Sequence, residues 1–194
     1  MTPITKDSAI RLFKSKPEWT LWLGKNHGKS PGLWLRLGKR DSGICSVSYK
    51  EALDVALCHG WIDGQKKPEN DKTWLQRFVP RSDKSLWSKI NREKATALIA
   101  SGEMKAAGRE AIERARKNGR WEAAYDSPSA ATVPQDFQDA LDQNAKAKAF
   151  FEKLDRANRY AVLWRIQTAK KAETRARKIR EFVAMLARGE KLHP

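Results

Sequence analysis

The chain of 194 residues is 40% hydrophobic and 32% charged, so it is long enough for one domain or one domain with an appendage and excludes a disordered polymer. Its net charge of +16 disfavours cationic partners and attracts polyanions. No apolar run approaches the roughly 18 residues needed to span a bilayer, and the start MTPITKDSAIRLFKSK has no leader pattern, so a cytoplasmic location is expected.

The charge is uneven. Residues 1–90 hold 17 Lys and Arg against 9 acids, residues 91–155 hold 11 against 11, and residues 156–194 hold 11 against 3. Excess surface lysine explains this as well as a binding surface does. The two cysteines, Cys45 and Cys58, have neither disulfide-scaffold nor metal-motif spacing and are expected to be reduced.

Ser15 with Glu18 three residues on is a capping-box pattern, and Pro17 is tolerated in a first helical turn. The helix it opens carries Trp19, Trp22 and Leu23 on one side and stops near Gly28. GLWLRLG, residues 32–38, has strand composition interrupted by Arg36, and KRDSG is a turn. Ser48 with Glu51 opens a second helix through Leu57, which Gly60 ends. WIDG and TWLQRFV are two short strands across the loop QKKPENDK, as a hairpin or as sheet neighbours. Helices are expected near 91–101 and 105–118, ended by Gly102 and Gly119. DSPSAATVP, residues 126–134, reads as a linker, and the block after it is all helical, with breaks around Gln143–Asn144, Asp155 and Ala172. The expected architecture is α+β: an N-terminal domain over 1–125 with a small antiparallel sheet flanked by helices, then a helical module over 135–194.

Asp63 sits between Trp61 and Gly64, where a strand normally carries an apolar residue. Burial raises a carboxylate's pKa and a nearby guanidinium lowers it, so a pairing with Arg77 or Arg81 that fixes the hairpin register is favoured over catalysis. No second acid lies near enough in sequence for a paired-carboxylate mechanism. His27, His59 and His193 occupy helix ends and a tail; His59 beside Cys58 offers a pair whose adjacent side chains seldom meet. No Gly-rich phosphate loop, HExxH or GxSxG is present. No catalytic residue, metal ligand or cofactor is therefore assigned.

In PRSDKSLWSKIN, Ser82, Ser85, Ser88 and Asn91 recur every three residues before a helix, among Arg81, Lys84 and Lys89. Hydroxyls, an amide and a helix N-terminus can cradle an anion; successive turn and cap residues explain each one singly. Trp87 in their midst packs under the turn on this reading. In AETRARKIREFVAMLARGE, Ile179, Phe182, Val183 and Leu186 form the apolar stripe, with Arg177, Arg180 and Arg188 opposite. Arg175 falls inside the apolar arc, so it pairs internally, with Asp155 or another acid, or lines an anion pocket.

EALDVALCHGWIDGQ, FVPRSDKSLWSKIN, SGEMKAAGREAIERARKNGRW and TAKKAETRARKI together resemble the bacterial YdeI/OmpD-associated family from about Phe13 to Leu186, and the block from Val133 resembles that family's helical module. His59 and Lys178 depart from its pattern, where an aromatic and an arginine are usual. The resemblance implies an association with an outer-membrane porin and with protection against bacteriocins or cationic peptides, and lends no reaction. Its signature positions here are Trp61, Asp63, Gly64, Pro80, Arg81, Ser85, Trp87, Ser88, Asn91, Thr174 and Arg175. The expected function is a non-enzymatic binding or stress-protection protein with an anion-accepting groove built from Asp63, Arg81, Ser85, Ser88, Asn91 and Arg175 and lined by Trp61 and Trp87. Its expected partner is an anionic ligand or an envelope-related protein. Weak, sequence-indifferent nucleic-acid binding is the second reading, and an enzyme using Asp63, His59 and Arg81 the third.

Overall fold

The computed structural model describes residues 9–194. The chain divides into two compact units, one comprising the described residues through Leu86 together with 91–122, the other 87–90 and 123–194. Among the described residues no helix is long and apolar enough to cross a membrane.

In the N-terminal unit a four-stranded sheet has the order β1-β2-β4-β3, formed by β1 (Ile10–Arg11), β2 (Leu33–Gly38), β3 (Trp61–Pro68) and β4 (Thr73–Pro80). The expected small antiparallel sheet with flanking helices is present, extended by one parallel strand. β2, β4 and β3 are antiparallel, but β1 joins β2 in parallel, making the sheet mixed. Two residues are too few to show a period of two, which is why β1 escapes the pattern.

Ser15 caps α1 (Lys16–Asn26), accepting from Glu18 N, and Pro17 lies in its first turn. Both bonds of the capping box are formed at Ser48, which opens α2 (Tyr49–Cys58). The helix ends at Gly60, whose φ of +72° is a left-handed conformation that costs glycine little. A Cβ there would also lie 2.6 Å from the carbonyl oxygen of Ala107, so this glycine lets α4 (Ala106–Lys117) approach the end of α2.

Trp19, Leu23, Ala52, Val55 and Ala56 of the helices pack with Leu33, Leu35, Leu37, Trp61 and Phe78 of the sheet in one core. Trp19 stacks on Trp22 at 5.5 Å and meets Trp61 edge-on at 6.4 Å. Both buried indoles are satisfied: Trp19 Nε1 donates to Ala52 O and Trp61 Nε1 to His27 O. Burying an indole without such a partner would offset much of what its area contributes. α3 (Lys89–Ala100) follows the sheet.

The C-terminal unit contains α5 (Gln135–Asp142), α6 (Ala145–Lys153), α7 (Arg156–Gln167) and α8 (Ala172–Ala187). Asn144 and Asp155 cap α6 and α7 by accepting from Ala147 N and Asn158 N, so the breaks fall where short polar residues outcompete the helix interior. Phe137, Leu141, Phe151, Val162, Ile166, Ile179, Phe182 and Leu186 form its core.

Candidate functional site

Asp63 pairs in register with Phe78 on β4, which places it at the rim of the core-facing side of the sheet. Its Oδ2 accepts a 2.7 Å hydrogen bond from Tyr49 Oη, so its partner is a phenol from the first turn of α2 and not Arg77 or Arg81. Arg77 instead places its guanidinium 5.7 Å from the centre of the Trp34 ring, and burial pushes its pKa down.

Arg81 is 5% exposed and donates from Nη1 to Leu86 O at 3.1 Å, closing the turn that contains Ser85. Ser85 Oγ accepts from Ser82 N, and Ser85 N donates to Ser82 O. Those serine groups bond one another. Ser88 bridges to Tyr125, Asn91 lies in the first turn of α3, and Trp61 and Trp87 are both buried. In the C-terminal unit Arg175 forms a bidentate pair with Asp136, at 2.6 and 2.8 Å, and donates to Ile166 O. The internal partner is thus Asp136 rather than Asp155, which caps α7. The Arg175 guanidinium holds the Asp136 carboxyl below its ordinary range.

His59 is buried, with its Nδ1 2.9 Å from Val55 O, and desolvation lowers its pKa. Burial pushes the adjacent Cys58 thiol up to about 11, so its reactive thiolate is disfavoured at neutral pH. Among the described residues no three His, Cys, Asp or Glu side chains gather as a metal site.

A different group of cations surrounds an open groove. Lys39 and Arg40 after β2, Lys66, Lys67 and Pro68 on β3, and Trp74 on β4 line a cavity of about 600 Å³. Among the described residues no acid lines it. Successive strand residues alternate faces, and here the adjacent lysines do so: Lys66 Nζ lies 4.4 Å from the Trp74 ring centre, Lys67 Nζ 4.2 Å from that of Trp34. Tyr49 packs beside Trp74 at 5.9 Å, and Lys39 N donates to Lys72 O, tying the loop after β2 to the hairpin. The nearby carboxylate of Glu69 is occupied by Arg36 in a bidentate pair and by Thr73. The sequence displays the dipeptides Lys39-Arg40 and Lys66-Lys67, but only strand pairing brings them to the lining of one groove beside Trp74.

Residues 11–111 match the family described as Domain of unknown function (DUF8412), and residues 130–189 match Bacteriocin-protection, YdeI or OmpD-Associated. No curated protein and no solved structure matches the chain. The YdeI/OmpD-associated resemblance is therefore carried by the C-terminal part, while WIDG and PRSDKSLWSKIN fall within the other match. With that match covering more than half of its length, the chain belongs to the DUF8412 family, and it carries a bacteriocin-protection, YdeI or OmpD-associated domain at residues 130–189.

Proposed function

We propose that this is a non-enzymatic, cytoplasmic binding protein of the bacteriocin-protection type that acts through an anionic ligand or an envelope-related partner. The observation that carries the reading is the groove that Lys39, Arg40, Lys66 and Lys67 line together with Trp74, without an acid in the lining. Desolvating one cation beside others is unfavourable unless an anion joins them, so such a groove selects negative charge. A chain of net charge +16 would for the same reason repel cationic peptides rather than capture them directly. The groove takes the place of the turn Arg81–Asn91 as the proposed anion site, because Ser82 and Ser85 in that turn bond one another. Asp63, Ser88, Asn91 and Arg175 then serve the hairpin, the bridge, the helix start and the Asp136 pair.

Single-stranded nucleic acid is the second reading, favoured by the indole of Trp74 among the cations, since bases stack on aromatic rings while phosphates meet lysines. Calorimetric titration with inorganic polyphosphate and with a short single-stranded oligonucleotide tests both. Replacing Lys66 and Lys67 by Gln lowers the net charge only from +16 to +14, yet should weaken both probes about tenfold or more, roughly 1.4 kcal/mol. Trp74→Leu should weaken the oligonucleotide alone. Equal binding by parent and double variant would show that bulk charge, and not this groove, attracts the anion.

A further inference from the structure

Helix α7 has one more apolar stripe than its core requires. With about 100° per residue, Val162, Leu163 and Ile166 share one side, which packs into the C-terminal core. Ala157, Tyr160, Ala161 and Trp164, at the i, i+3, i+4, i+7 spacing, share the opposite side. That second stripe floors a groove of about 550 Å³, walled by Pro128 and His193. Both walls are anchored. Tyr160 Oη donates to Asp126 O, Trp164 meets Tyr125 edge-on at 6.0 Å, and the backbone of His193 is bonded to the buried side chain of Asn158.

The helical rotation puts Arg156 on one flank of the stripe and Arg165 on the other, and both line the groove with His193. Among the described residues no acid lines it. Two carboxylates next to its lining residues in sequence or bonded to them are engaged: Asp155 with Asn158, and Asp126 with Lys89 and Gln167. Residues 156–194 as a whole carry 11 Lys and Arg against 3 acids.

We infer that this groove is a docking site for an acidic peptide segment that inserts one bulky apolar side chain between Tyr160 and Trp164 while flanking carboxylates meet Arg156 and Arg165. Charge complementarity selects this occupant. A second copy of the chain would bring another +16 against the same cationic rim. The cavity is large enough for one side chain and its neighbouring backbone, within the ordinary range for ligand sites of about 300–1,000 Å³.

The test is fluorescence anisotropy with a labelled glutamate-rich peptide bearing one central leucine. Its controls are the same peptide with glycine for leucine and a lysine-rich counterpart. Ala157→Glu is the diagnostic variant, because Ala157 is exposed and lies in the first turn of α7, where a carboxylate is compatible with the helix dipole. The parent should bind the leucine peptide, with affinity falling as salt rises, and bind both controls at least about tenfold more weakly, a difference of roughly 1.4 kcal/mol. Ala157→Glu, and separately Arg156→Gln with Arg165→Gln, should reduce binding about tenfold or more on the same scale. The Lys66 and Lys67 variant should bind like the parent, which separates this site from the groove at Trp74. The proposal is overturned by equal affinity for the glycine peptide, by a parent-like Ala157→Glu, or by self-association or anionic-vesicle binding that Ala157→Glu abolishes in place of peptide binding.

Discussion

Asn158 and His193, 35 residues apart, exchange two hydrogen bonds: His193 N donates to Asn158 Oδ1 at 2.8 Å, and Asn158 Nδ2 donates to His193 O at 3.3 Å. Asn158 is 2% exposed, and its amide also donates to Asp155. The substitution Asn158→Ala removes one acceptor and two donated bonds from a buried position. Unfolding by denaturant should show a loss of about 2 kcal/mol, and the His193 amide should exchange its hydrogen faster. An unchanged midpoint would mean that Leu192, which packs on the C-terminal core, holds the tail alone.

The Tyr49–Asp63 bond joins the start of α2 to β3 with a neutral donor at a partly exposed place. It should therefore contribute less than a buried ion pair. Tyr49→Phe is expected to cost about 1 kcal/mol, and a double-mutant cycle with Asp63→Asn should give a coupling of similar size. A coupling near zero would assign the stability of this corner to the packing of Tyr49 on Trp74 instead.

Among the groups that make stability fall on acidification, His59 and Asp136 act at different pH. Burial, chiefly, with the neighbouring His27 and Lys105 charges, holds His59 below its ordinary 6.5. The unfolded chain then takes up the proton first, so the contribution is intact above about 6.5 and lost as pH falls through the folded value. Asp136, held down by Arg175, behaves likewise below its ordinary 3.8. Thermal melts across pH should show two separate declines. His59→Gln should remove the one nearer neutrality and Asp136→Asn should reduce the more acidic one, to which other held-down carboxylates such as Glu51 and Glu69 also contribute; a decline near pH 6 that survives His59→Gln would relocate its source.

Gly108 lies in α4, where alanine would ordinarily be favoured by about 1 kcal/mol. A Cβ at this position would stand 2.5 Å from Cys58 O and 2.8 Å from Leu57 O and would meet Met104 Sδ. Backbone carbonyls cannot step aside as a flexible side chain can, so the clash wins over propensity. Gly108→Ala should destabilise by about 1–3 kcal/mol with an unchanged denaturant slope. A stabilised variant would show that α4 shifts away from α2 at little cost.

Local chemistry was legible along the chain. The capping box at Ser48 and Glu51, the helix breaks at Asn144 and Asp155, the glycine after α2 and the hairpin of β3 and β4 all follow from residues within a few positions of one another. Such contacts involve little loop closure, so residue type and spacing decide them. The α8 stripe was legible for the same reason, and it placed Arg175 at a position that required a partner. Which partner was not legible. Asp136 is 39 residues away, Tyr49 lies 14 before Asp63, and the indoles under Lys66 and Lys67 sit on neighbouring strands. Strand order, register and helix packing choose among many acids, phenols and rings that are equivalent in sequence. The tertiary structure alone decided those pairs, because each depends on where the burial of apolar faces brings distant backbone together.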